Sequence, residues 1–507
     1  MRTYRNGVRV FAVLMAVVAL LAFGSQPALA DGAPMGQDVH VAQTLGTREL
    51  SVVLRRVDEV PGPLRVDVLT HVGTAAGTLT LRLTPTGVSV GTDGLPPAGS
   101  VVGEGELVLG AVPGSYGITL RVDRPGPWEL AVDDGQRIGR IPFVVPAPVR
   151  SPPDVVAYAG FSAAGGLLLL ALGLAVWSRR WWPPLVPACG MIAALAVGVT
   201  GASLSPLTPL PPQPGLQIDA TADNVAAPYA GGRPPTTDYS RPPVNMLVRA
   251  SKASAGRPVD LDLLLSDGST GRPVDDLLVR DNALIHLLVV SPSGRLWHLH
   301  PVRYGPGHYQ VSLVAAEPGH YAISAELARR GGGVQLIRSA TGLDVGEGLS
   351  TVTALPVPGG LGARNVDGIR VDLTASTLSA GTASTITAKV GETADLQPWL
   401  GMVGHLIVVG PLSGSAPVGT AAESAPIWGH VHAMAATPRG AVSRPDETVA
   451  AFGPVVRFTH TFLEPGRYRL WLQVERNYSL VTVPAVLDIT APRDSTAPET
   501  EGGRSSS

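Results

Sequence analysis

Apolar and polar residues alternate with a period of two along most of this chain, and one recurring turn cuts the alternation at short intervals. Leu64-Arg-Val-Asp-Val-Leu69, Leu79-Thr-Leu-Arg-Leu-Thr84, Val259-Asp-Leu-Asp-Leu-Leu264 and Tyr468-Arg-Leu-Trp-Leu-Gln-Val474 all follow that pattern. Side chains of a strand point alternately to opposite faces, so each run reads as a half-buried strand. The punctuation is Pro-Gly-x-aromatic, seen as Pro113-Gly-Ser-Tyr116, Pro125-Gly-Pro-Trp128, Pro318-Gly-His-Tyr321 and Pro465-Gly-Arg-Tyr468. Proline followed by glycine suits the two central positions of a type II turn, and the aromatic then opens a strand with a core-facing side chain. Short strands at this spacing predict a mainly β protein of three separate immunoglobulin-like antiparallel β-sandwich modules, at 37–147, 244–346 and 368–491.

Three apolar stretches interrupt the strands. Residues 1–30 combine Arg2, Arg5 and Arg9, an apolar run from Phe11 to Phe23, and Ala28-Leu-Ala30, which together read as a signal peptide. Segments 155–177 and 185–204 are each long enough to cross a bilayer. Arg179 and Arg180, flanked by Trp177, Trp181 and Trp182, occupy the loop between them. Positive charge and an aromatic belt place that loop at the cytoplasmic face, so a two-helix transmembrane hairpin is expected, with both large segments extracytoplasmic and the protein in the cell membrane. Proline density makes 205–243 a stiff linker, and 492–507 reads as a disordered tail. The single cysteine, Cys189, falls in the second apolar segment and has no partner for a disulfide. With 38 basic and 40 acidic residues the chain has no field for nucleic acid; the expected partners are a membrane, an envelope protein and a metal ion.

Stretches 245–345 and 369–490 align as internal repeats. Ile285-His-Leu-Leu-Val-Val290 and Trp297-His-Leu-His-Pro301 answer to Gly404-His-Leu-Ile-Val-Val409 and Gly429-His-Val-His-Ala433. Three histidines therefore coincide, His286, His298 and His300 in one module and His405, His430 and His432 in the other. In a strand, His-x-His sends both imidazoles to one side, where a third from a neighbouring strand would complete a three-nitrogen set in each module. Copper is the first choice of metal and zinc the alternative. His308, His320, His460 and Met434 are candidates for a fourth ligand. A second reading stays open, in which His286 and His405 are core histidines and the His-x-His pairs are polar edge positions. The first module, with only His40 and His71, is expected to be structural or partner-binding. Acidic pairs such as Asp275-Asp276 and Asp133-Asp134 read as solvated turn carboxylates. Nucleophile elbow, phosphate loop and dinucleotide fingerprint motifs are missing, so an enzyme is not expected.

At Ala283-Leu-Ile-His-Leu-Leu-Val-Val290, Leu296-Trp-His-Leu-His-Pro301 and Leu400-Gly-Met-Val-Gly-His-Leu-Ile-Val408, the chain resembles bacterial extracytoplasmic modules of the YtkA-like and FixH-like kind. It is similar in outline to the sandwiches of CopC-type copper-resistance proteins. The resemblance implies a secreted sandwich associated with copper or heavy-metal handling, and by position points to the same six histidines. The chain departs from the copper-resistance pattern in having no histidine at the expected mature N-terminus.

Overall fold

The computed structural model describes residues 38–57, 59–86, 94–145, 151–207, 242–329, 332–349, 358–435 and 447–492. The signal peptide read at 1–30, most of the 205–243 linker and nearly all of the 492–507 tail lie outside the described residues.

Alternation becomes sandwich in all three modules. In the strand Gly77–Pro85, Leu79, Leu81 and Leu83 are buried while the residues between them are not; in Pro258–Asp267 the same holds for Val259, Leu261, Leu263 and Leu265. The first module sets a four-stranded sheet (Val39–Leu45, Arg48–Leu54, Gly62–Thr70, Gly114–Val122) beside a second four-stranded sheet centred on Gly77–Pro85 and Gly126–Asp133. In the second, a four-stranded sheet around Pro258–Asp267 accompanies a six-stranded sheet built on Gly319–Arg329 and Ile285–Val290. The third repeats this arrangement with Ala383–Val390 in one sheet and Gly466–Arg476 with Met402–Gly410 in the other. Its first strand, Gly362–Val366, begins ahead of the expected boundary at 368.

The recurring turn has one physical form. Its glycine takes a positive φ in every copy, 151° at Gly114, 117° at Gly126, 124° at Gly319 and 137° at Gly466, a region that favours glycine. These values lie beyond the roughly +80° of an ideal type II turn. Each aromatic then bonds back to the carbonyl four residues upstream: Tyr321 Oη donates to Glu317 O at 2.8 Å, Tyr468 Oη to Glu464 O at 2.9 Å and Trp128 Nε1 to Arg124 O at 3.0 Å. Tyr116 makes the same bond to Val112 O. The ring is thereby fixed at the edge of the core with its polar atom satisfied.

Two helices, α1 (Pro152–Trp177) and α2 (Leu185–Leu204), are long and apolar enough to cross a membrane. α1 starts ahead of the expected 155 because Ser151 caps it, accepting a bond from Asp154 N, and prolines occupy its first turn. The helices touch through small residues. A Cβ on Gly160 would stand 2.4 Å from Gly198 N, and one on Gly201 would stand 2.6 Å from Ala157 N, so the backbones meet where only hydrogen fits.

The three sandwiches, each with its own pair of sheets, are packed against one another. One continuous core runs from the first module into the second. Backbone bonds join them, Thr44 N to His300 O at 2.8 Å and Ala42 N to Asn282 O at 2.7 Å. Arg303 ties Asp275 to Glu129 of the first module, both at 2.8 Å, so Asp275 is not a solvated turn carboxylate. Between the second and third modules lies a distinct apolar cluster that includes Leu288, Val290, Ile407, Val409, Trp428 and Trp471.

Candidate metal centre

Two strands buried on both faces carry the site. In Ile285–Val290, Ile285, Leu287 and Val289 enter the core of their own module, which turns His286, Leu288 and Val290 toward the third module. In Met402–Gly410, Leu406 and Val408 enter the third module's core, and His405, Ile407 and Val409 face the second. Strand register adds the remaining histidines. Leu288 pairs with His298, so His298 and His300 share the face of His286. His405 lies opposite His432, and Ile407 opposite His430.

Each module thus gathers its own three histidines on one face, and the two faces meet. The expectation of one site per module is corrected: the six rings form a single cluster across the interface. Ring centroids of His286 and His430 are 5.0 Å apart, those of His298 and His430 4.9 Å, and those of His298 and His405 5.4 Å, all between modules. Distances within a module span a similar range, 5.3 Å for His286–His298, 5.1 Å for His405–His432 and 4.3 Å for His430–His432.

In five of the six rings the outer nitrogen is hydrogen-bonded to an acceptor, and in His432 it faces a carboxylate at longer range. His286 Nε2 donates to Arg280 O at 3.2 Å, and His405 Nε2 to Trp399 O at 3.1 Å. These carbonyls can only accept, so both rings, when neutral, keep a lone pair on Nδ1. His298 Nδ1 faces Gln473 Oε1 of the third module at 3.0 Å, while His430 Nδ1 faces Glu326 Oε2 of the second at 3.2 Å. Glu326 and Gln473 are equivalent, each being the cross-strand neighbour of His286 or His405 in its own sheet. The modules therefore exchange orienting groups reciprocally. His300 Nδ1 is bound by Glu49 of the first module, and His432 Nδ1 stands 3.5 Å from Asp281.

With outer nitrogens so held, the inner ones converge. His286 Nδ1 is 3.1 Å from His298 Nε2, His405 Nδ1 is 3.1 Å from His430 Nε2, and His432 Nε2 is 3.2 Å from His430 Nε2. Nε2 of His300 is buried with no hydrogen-bond partner among the described residues. Ligand atoms of His286, His298 and His430 lie within 4.8 Å of one another, as do those of His405, His430 and His432. His430 has one inward nitrogen, so the two triads share it. Burial, and then the charge of neighbouring imidazoles, pushes His286, His298, His405 and His430 well below the ordinary histidine range, which keeps them neutral. Burial and the nearby Asp281 push Glu326 up to about 7.

The proposed fourth ligands lie elsewhere or at the margin. His308 is bound by Asp262, His320 stands between Asp344 and Glu423, and His460 packs on Phe462. Met434 is exposed at the end of its strand. Sequence reasoning missed Glu326, Gln473 and Glu49. A signal existed for two of them, since Glu326 and Gln473 are polar residues flanked on both sides by apolar ones in the middle of buried strands.

Fold and site together define a protein of immunoglobulin-like β-sandwiches, with a two-helix apolar hairpin and a histidine cluster at a module interface. Residues 364–491, the third module, match the model of a domain of unknown function, DUF8832. No curated protein matches the chain. Among solved structures, the chain is similar to a tetra-tandem repeat from the extending region of a large adhesion protein (9% identity, 89% of this chain and 74% of that one, TM-score 0.15). It is also similar to the Escherichia coli adhesin FdeC (10% identity, 90% and 99%, TM-score 0.14) and to the bacterial integrin-binding protein invasin (10% identity, 88% and 60%, TM-score 0.14). At these TM-scores the likenesses carry no argument about this chain.

Proposed function

We propose that this is a membrane-anchored, extracytoplasmic protein that binds a transition metal, copper first and zinc second, in the cluster of His286, His298, His300, His405, His430 and His432. One observation carries the reading: outward nitrogens engaged by acceptors, inward lone pairs aimed at each other. Lone pairs 3.1 Å apart repel unless a cation or proton lies between them, and metal-ligating histidines commonly donate their other N–H to a carbonyl or carboxylate. A bound cation would also lower the Glu326 carboxyl and hold it ionised. The anchor is the helix pair α1 and α2, with Arg179 and Arg180 on the cytoplasmic side. A reporter active only in the cytoplasm, fused after Gly215, should be silent.

A second reading, a purely structural interface for an envelope partner, has one observation in its favour. With Glu326 near 7, a protonated Glu326 could donate to His430, and a turned Gln473 amide to His298, which converts the facing nitrogens into ordinary hydrogen bonds. That network leaves His300 Nε2 unpartnered. Titration of the full chain in detergent with Cu²⁺ and Zn²⁺ separates the two, against a variant with His298, His300, His430 and His432 changed to alanine. Equal affinity in both proteins ends the metal reading.

A further inference from the structure

A second buried polar cluster joins the first module to the third, and the histidine centre does not use it. His71 follows the strand Gly62–Thr70, Glu475 lies near the end of Gly466–Arg476, and Glu447 lies ahead of Val455–Thr461. They are 9%, 1% and 6% exposed respectively. His71 Nδ1 is 2.6 Å from Glu475 Oε1, and His71 Nε2 is 3.6 Å from Glu447 Oε2. The surroundings fix both modules at this point. Ser51 Oγ and Leu400 N donate to Glu447 Oε1 at 3.0 and 2.9 Å, which turns Oε2 inward. Val72 N donates to Tyr478 O at 2.7 Å, bringing the His71 loop onto the third module.

Three atoms there are buried without a hydrogen-bond partner among the described residues: His71 Nε2, Glu447 Oε2 and Glu475 Oε2. Buried polar atoms left unpaired are costly. One ligand atom from each residue fits within a sphere where all three lie within 4.8 Å of one another. Two ligands of one tetrahedral ion at about 2.1 Å stand roughly 3.4 Å apart, close to the His71–Glu447 separation. We propose that His71, Glu447 and Glu475 form a second, separate site for a divalent first-row cation, which staples the first module to the third. One imidazole and two carboxylates make a harder donor set than the all-imidazole cluster, one that suits Zn²⁺ or Mn²⁺. Loading places the ion between ring and carboxylates, and any proton on the ligating nitrogen leaves to solvent.

The site is tested on the full chain in detergent, with Zn²⁺ as the probe. Crystals of the unaltered protein soaked in Zn²⁺ should give an anomalous peak among His71, Glu447 and Glu475. In solution, H71Q/E475Q and, independently, E447Q should bind one zinc fewer, or bind it at least about tenfold more weakly. The peak and the lost equivalent support the proposal. No peak there at saturating Zn²⁺ overturns it, even if every variant fails to fold, and a peak at the six histidines alone overturns it while leaving the metal reading of that cluster intact. Unchanged stoichiometry and affinity in folded variants would overturn it equally.

Discussion

A neutral imidazole carries one N–H, so whatever accepts that hydrogen decides which nitrogen keeps a lone pair. At His298 the acceptor is Gln473 Oε1, from the other module. Gln473→Leu keeps approximate volume but removes the acceptor, and metal affinity of the full chain should fall about 10- to 100-fold, whereas Gln473→Glu should retain most of it. Isothermal titration distinguishes the two. Neutrality of the buried rings also predicts a pH dependence. His286, His298, His405 and His430 have folded-state values below 6.5, so below 6.5 the unfolded chain takes up protons that the native chain refuses. Stability is fully present above 6.5 and is lost as pH falls below it, by about 1.4 kcal/mol per pH unit for each unmatched proton. Glu326 and Glu447, raised to about 7, take up protons in the native state over part of that range and offset two of the four. His71 acts in the opposite sense: burial opposes its charge, but Glu475 and Glu447 hold it up to about 9, so its contribution fades between 6.5 and 9. Urea unfolding of metal-free protein should give lower stability at pH 5 than at pH 7, and a flat profile would mean the rings are not held neutral.

Individual elements obey local rules that the sequence displays openly. The Pro-Gly-x-aromatic turn needs only a glycine with positive φ and an aromatic that reaches a carbonyl four residues back, both set within one short segment. Tyr468→Phe keeps the buried ring and deletes the bond to Glu464 O, so the third module should lose about 1 kcal/mol in chemical denaturation. Tyr321→Phe should do the same in the second. In the helix pair the controlling residues are Gly160, Gly198 and Gly201. Gly160→Leu forces the backbones apart, and energy transfer between labelled α1 and α2 peptides in detergent should drop with weakened association. Unchanged transfer would show that close approach does not hold the hairpin. What no local rule reveals is which face of a strand is used twice. Ile285–Val290 and Met402–Gly410 are buried without interruption, the only polar side chains in them being His286 and His405, because both faces are covered, one by the home sandwich and one by the neighbouring module.

Across the whole molecule the decisive contact is sheet against sheet between the second and third modules. At one end sit the six histidines; at the other, Trp471 is 1% exposed and donates Nε1 to Gly294 O of the second module at 2.9 Å. Trp471→Ala should cost about 3–5 kcal/mol and weaken metal binding without touching a ligand, since the two histidine triads would no longer be held face to face. Calorimetry of the unaltered protein should show the second and third modules unfolding together, and this variant should split that transition.

The sequence by itself determined the sandwiches, the turn, the two apolar helices and which three histidines each module turns to one face, because all of these rest on period, local turn chemistry and segment length. His286 with His298 and His300, or His405 with His430 and His432, needs only strand alternation and antiparallel register. Tertiary structure alone decided that the triads share one space, that Glu326 and Gln473 orient histidines of the opposite module, and that His71 meets Glu447 and Glu475. His71 and Glu475 lie 404 positions apart. Contacts at that separation are fixed by how finished modules dock, a matter of surface complementarity between sheets that a period-two pattern within any one strand does not encode.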